Sequence, residues 1–196
     1  MSAVSVKEII AAFVVDRIVD LPESGFDQDR VEWARERLGR AGLALRATAP
    51  RDSAGFDGLP DLSTTWWGVP ARVRVVDHPD FRALVVVLSQ TEVYRTAARD
   101  GDGYAHRAAE QFRDLCDAAR PVYAFVQPVP VDDVPDFLDE VSTELLGLRL
   151  SRLAGFGFPL WYVDRAWSAE APPGAPDLPA AHGVVVVEGN SPGGWL

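Results

Sequence analysis

Residues 104–130 read YAHRAAEQFRDLCDAARPVYAFVQPVP, and here the pattern of a helix runs straight into the pattern of a buried strand. Ala105, Ala108, Phe112, Leu115, Cys116 and Ala119 recur every three or four residues, which places them on one side of a 3.6-residue-per-turn helix. Glu110, Arg113, Asp114 and Asp117 fall mostly on the other side. Arg120 sets a cation at the negative end of the helix dipole, and Pro121 cannot donate the next helical hydrogen bond, so the helix stops there. Val122–Val126 follows as an unbroken apolar run, the signature of a strand covered on both faces.

Working outward, Phe81–Leu88 is the strongest strand pattern in the chain, apolar on both sides from Leu84, and is expected near the middle of a sheet. Ala71–Val76 alternates Val73 and Val75 with Arg72 and Arg74, and Asp77–Asp80 turns the chain, so the two strands read as a hairpin. Val14, Val15, Ile18 and Val19 favour a strand near 13–19. A helix is expected from about Gln28 to Arg40, capped by Asp27, with Glu32, Arg35, Glu36, Arg37 and Arg40 on its outer face. Residues 42–47 suggest a short strand, and 89–99 fit either a strand edge or a helix start. Pro128 and Pro130 argue against a central strand there. A further helix is expected over about 133–147, with strands at 148–154, 158–163 and 184–187.

The resulting fold class is α+β: a mixed, largely antiparallel sheet with about three helices packed on it, in a single layered sandwich domain. That domain spans 1–196, with a long loop at 48–70, a proline-rich loop at 169–181 and a flexible tail at 189–196. At 196 residues and 47% apolar composition the chain can bury a sizeable core. One cysteine rules out an internal disulfide, and Cys116 on the apolar helix face reads as a buried structural thiol. No window is apolar enough to span a membrane and no signal peptide is apparent, so a cytoplasmic protein is expected.

The chain carries 29 acidic and 19 basic residues, a net charge of −10. That charge repels nucleic acid and anionic membrane, so neither is an expected partner, while it suits either plain solubility in salt or recognition of a protein by an acidic surface. No cofactor is expected, and no metal site either, since no H-x-H or H-E-x-x-H spacing occurs. His78 between Asp77 and Asp80 fits a turn better than a catalytic base. Ser89 and Glu92 at the end of the strongest strand are the best place for polar groups to converge, and with His78 they are the weak catalytic candidates. Trp66 and Trp67 adjoin each other in the long loop, where extended backbone would aim them apart, one into the core and one to a surface. Together with Tyr162, Arg165 and Trp167 they are the candidate partner-binding residues, because these residue types dominate interfaces.

The order of a helix ending in P-x-Y-x-F (Phe112 to Phe125), the apolar strand Phe158–Tyr162 and the Gly-led strand Gly183–Val187 resembles that of uncharacterised α+β proteins grouped with immunity proteins of bacterial toxin systems. The resemblance covers about 80 residues and brings no residue roles with it. It implies a non-enzymatic domain that binds a protein partner in an immunity-like or regulatory role. The alternative is a small-molecule-binding or hydrolytic enzyme with a site near His78, Ser89 and Glu92.

Overall fold

The computed structural model describes residues 7–16, 29–47, 62–77, 81–130, 158–166 and 177–187. Its elements are β1 (Lys7–Asp16), α1 (Arg30–Arg40), β2 (Arg46–Ala47), β3 (Leu62–Trp66), β4 (Val69–Asp77), β5 (Phe81–Ser89), α2 (Gln90–Asp100), α3 (Gly103–Ala119), β6 (Tyr123–Pro130), β7 (Leu160–Asp164), β8 (Asp177–Pro179) and β9 (Gly183–Val187). The strands form one sheet in the order β2-β3-β4-β5-β1-β6-β7-β9-β8. Every described pairing is antiparallel. The fold is therefore α+β, and the parallel component of the expected mixed sheet does not occur among the described residues.

β1 lies at the centre, and Ile9 to Val15 are buried without exception. Alternation sends Ile9, Ala11, Phe13 and Val15 to the face that carries the three helices, and Ile10, Ala12 and Val14 to the other. The described strand thus starts at Lys7, six residues before the expected 13–19, and 17–19 lie outside the described residues. Ala11 and Ala12 are weak strand formers, but between β5 and β6 burial on both faces outweighs propensity. β5 is buried from Phe81 to Leu88, as its apolar run requires.

On the helix face Phe13 meets Trp66 edge-on at 6.1 Å and Phe112 at 5.3 Å. Every apolar position expected on α3 is buried, together with Tyr104 and Ala109. Cys116 lies in this core, where burial, with Asp117 adding to it, pushes its thiol well above the ordinary value. On the opposite face Phe125 stacks on Phe158 at 4.4 Å. The α3 terminus is closed by Arg120 in the left-handed region, φ 53°, with its N–H donating to the Cys116 carbonyl at 2.8 Å. Pro121 follows, so two independent features stop the helix.

Several boundaries differ from the sequence expectation for local reasons. α1 is capped by Asp29, whose carboxylate accepts from the N–H groups of Val31 (2.9 Å) and Glu32 (3.2 Å). Arg37, expected outside, is buried with its guanidinium 4.1 Å from the Trp33 ring centroid, so that its charge lies on the π face. The expected loop at 48–70 contains β3 and the start of β4, joined by the two-residue turn Trp67–Gly68. Both turn residues have positive φ, 55° and 74°, the conformation whose twist suits a tight hairpin. Residues 89–99 resolve as α2, whose N-cap Ser89 accepts from the Glu92 N–H at 3.5 Å.

Pro128 and Pro130 stand inside β6 after all, opposite Ile9 and Lys7 of β1. The described pairing of β6 with β7 ends at Val126, so beyond it one edge of β6 has no ladder partner among the described residues. Prolines two residues apart turn the same edge, which is how a strand accommodates them. Within the expected proline-rich loop at 169–181, Asp177–Pro179 pairs with β9 as a short edge strand. The expected helix at 133–147, the strand at 148–154 and the tail at 189–196 lie outside the described residues.

Candidate functional site

The tryptophan pair is a buried clamp. Trp66 ends β3 with its side chain on the helix face, and the positive φ of Trp67 rotates the next side chain back onto it, so the two rings stack at 4.4 Å and 23°. Neither is more than 2% exposed. The expectation that extended backbone would aim them apart fails because Trp67 is not extended. The Trp67 N–H donates to Gln111 Oε1 at 3.0 Å, and the Tyr104 hydroxyl donates to the Trp67 carbonyl at 2.9 Å. Two α3 side chains thereby hold a tryptophan in a conformation that bulky residues rarely adopt. In this arrangement the pair offers no ring face to a partner.

Burial, with the Asp100 charge adding to it, pushes the Tyr104 hydroxyl up to about 12 from 10.0. The folded state therefore holds this proton more tightly than the unfolded chain does. Its contribution to stability is complete below pH 10 and is lost as pH rises through about 12. Urea unfolding at stepped alkaline pH should show that decline in the wild type and a smaller one in Tyr104→Phe. Equal declines in the two proteins would count against the hydroxyl as the source.

Tyr162 is fully buried in β7, and burial raises its hydroxyl far above the ordinary value. It packs over Gly183 of β9, as detailed below. Arg165 is exposed just past β7, with its N–H donating to the His182 carbonyl at 3.0 Å. Trp167 lies outside the described residues. Of the five partner-binding candidates, then, Trp66, Trp67 and Tyr162 are interior packing, because each occupies an inward position of a strand or turn on the helix face of the sheet.

Of the weak catalytic set, Ser89 and Glu92 are described and have local structural roles. Asp77 and Ser89 mark opposite ends of the β4–β5 hairpin: Asp77 pairs with Arg82 near the tip, while Ser89 ends β5 beside Glu8 of β1. The seven residue steps from Arg82 to Ser89 span about 24 Å. His78 lies outside the described residues. Ser89 serves as a helix cap, and Glu92 forms an ion pair with Arg95 at 2.7 Å. The S-x-x-E spacing of Ser89 and Glu92 is itself a helix-start signal. His106 is exposed on α3, 3.5 Å from Glu110. Among the described residues no group of three His, Cys, Asp or Glu side chains is placed to hold a metal, and no helix is long and apolar enough to cross a membrane.

Sequence reasoning missed Tyr94. It stands on the outer face of α2 at 42% exposure, the large apolar side chain that the described fold leaves in solvent, and its hydroxyl accepts from Gln90 Nε2 at 2.8 Å. Arg95 and Arg99 are exposed on the same helix, about 100° and 140° around its axis from Tyr94, and pair with Glu92 and Asp100. While 89–99 fitted strand or helix equally, no face could be assigned to Tyr94.

Charge is distributed unevenly. Of the chain's 19 bases and 29 acids, 15 and 14 fall among the described residues, which leaves 4 bases and 15 acids for the rest. The described framework is close to neutral, so the net charge of −10 belongs to the remaining segments.

No protein-family model matches the chain, and no curated protein matches it. Among solved structures it is similar to the Pseudomonas aeruginosa T6SS protein PA0821, at 13% identity and a TM-score of 0.38, over 92% of this chain and 68% of that one.

Proposed function

We propose that the chain is a non-enzymatic protein-binding domain of an immunity-like or regulatory kind. The observation that carries this reading is Tyr94, an exposed aromatic on the outer face of a helix that packs on the sheet and also exposes Arg95 and Arg99. Tyrosine and arginine on a rigid element are the residue types that concentrate binding energy at interfaces. Two of the three polar residues that stood for catalysis, Ser89 and Glu92, are engaged in a cap and an ion pair, which supports the same reading. A net charge of −10 favours the approach of a basic protein and makes the association sensitive to salt. Arg165 and Trp167 remain candidates for the contact surface.

The test is affinity purification of the tagged chain from its native host at near-native ionic strength, with mass spectrometry of what accompanies it. One stoichiometric partner is expected. Tyr94→Ala should weaken its retention by about tenfold or more, the effect of removing an interface anchor, and Trp167→Ala or Arg165→Ala should weaken it if those residues join the surface. Trp66 and Trp67 are unsuitable probes because their replacement disturbs the core. Absence of any co-purifying protein across a range of salt concentrations counts against the reading.

A further inference from the structure

Two features of the β3–β4 turn work against its closed form. Trp67 holds a φ of 55°, in the left-handed region where a bulky side chain is strained. Its ring stacks on that of Trp66 at 4.4 Å, and Trp66 Nε1 is buried with no hydrogen-bond partner among the described residues. An indole N–H kept from water in this way forfeits a hydrogen bond that solvent would supply. What holds the turn shut is local. The last pair of the β3–β4 ladder is Trp66 with Val69, so Trp67 and Gly68 stand outside it. The Trp67 N–H donates to Gln111 Oε1 and its carbonyl accepts from the Tyr104 hydroxyl, and both of these side chains belong to α3. Gly68 and Gln111 are exposed, as are Thr65 and Pro70 to either side of the turn. Freeing the turn therefore breaks two side-chain hydrogen bonds and a ring stack, while the strand ladder and the backbone bonds of α3 stay whole.

We propose that the β3–β4 turn is a conformational latch, which opens as a unit in the native protein and turns the Trp67 ring out to solvent without unfolding the sheet. The latch does not depend on the protein-binding reading. Release relieves the backbone strain at Trp67 and lets water reach Trp66 Nε1, so opening costs less than the burial of an indole alone implies. Segments that open more cheaply than the whole fold are those with few ladder bonds and a backbone close to solvent, and this turn has both properties. Closed, the turn withholds the Trp67 indole; open, it presents a large apolar ring at the end of the hairpin.

Native-state hydrogen exchange of the full chain, followed by NMR under conditions where the rate reports the opening equilibrium, tests the latch. The probes are the Trp67 amide, the Trp66 indole N–H and the amide of Ala12, which lies in the central strand between β5 and β6. The Trp67 amide is expected to be at least about 100-fold less protected than that of Ala12. Low concentrations of urea should leave Trp67 protection nearly constant and lower that of Ala12 steeply, because a local opening exposes little surface. The Trp66 indole should exchange through the same opening, with the same weak urea dependence. Val85→Ala, on the far face of the sheet, should lower Ala12 protection about tenfold or more and leave that of Trp67 unchanged. Tyr104→Phe removes one tie and should lower Trp67 protection about tenfold. Equal protection and equal urea dependence at Trp67 and Ala12 would mean that the turn opens only with the whole fold, which overturns the proposal. A Trp66 indole protected to the Ala12 level overturns it too, because then the Trp67 backbone frays while the rings stay stacked. Val85→Ala lowering both amides equally, or Tyr104→Phe leaving Trp67 unchanged, has the same consequence.

Discussion

Gly183→Ala should cost the fold about 3 kcal/mol or more, enough to leave a marginally stable chain largely unfolded. A Cβ built on Gly183 collides with the Val163 backbone carbonyl oxygen and comes within 2.5 Å of Cε2 and Cζ of the Tyr162 ring. The carbonyl is backbone of β7, a strand paired on both sides, so it cannot rotate away. The ring is fully buried, so it has no free volume to enter. Asp164 lies directly opposite Gly183 and Val163 opposite Val184, so the glycine is where β9 first comes against β7. Relief would have to come from parting the two strands, and β8 hangs from β9. Urea unfolding should show a lower midpoint with an unchanged slope, or no cooperative transition at all. Gly183→Ala combined with Tyr162→Ala should recover little, because the carbonyl contact remains. A loss under about 0.5 kcal/mol for the single variant would mean that the strands do not approach as described.

Trp66→Ala carries the second large expected effect, about 3–5 kcal/mol for truncating a buried tryptophan. Its ring lies between Phe13 of the central strand and Trp67 of the turn, so its loss opens a cavity between sheet and α3 that the hairpin alone cannot close. Trp67→Gly should cost less, although its ring is buried to a similar degree. Glycine adopts a φ of 55° without strain and so recovers about 1 kcal/mol of what the lost indole contributed. The backbone acceptor for Tyr104 and the donor for Gln111 both remain in that variant. Comparative urea unfolding of the two variants checks the order. Trp67→Gly at least as damaging as Trp66→Ala would show that stacking, rather than the sheet-side packing of Trp66, dominates the clamp.

How much of this was legible in the sequence depends on the range of the interaction involved. The α3–β6 segment was readable because its helix period, its proline and its unbroken apolar strand are local patterns that all agree. β5 was readable for the same reason. The N-terminal strand was displaced by several residues because propensity marks valines and isoleucines, whereas pairing with β5 and β6 on either side recruits Ala11 and Ala12. β3 was missed because proline and glycine content spoke for a loop, while its alternating Leu62, Thr64 and Trp66 face acquires meaning only against β4.

For the candidate site the division is sharper. Sequence alone determined the α+β class, the central helix–strand unit, the burial of Cys116 and the net charge, because each follows from period or composition. Only the tertiary structure decided that Trp66 and Trp67 face inward and that the Asp77 end of the hairpin lies a strand's length from Ser89. The reason is physical. A backbone dihedral at one turn residue and the registers between strands set which side chains meet, and neither is encoded in the spacing of residues along the chain.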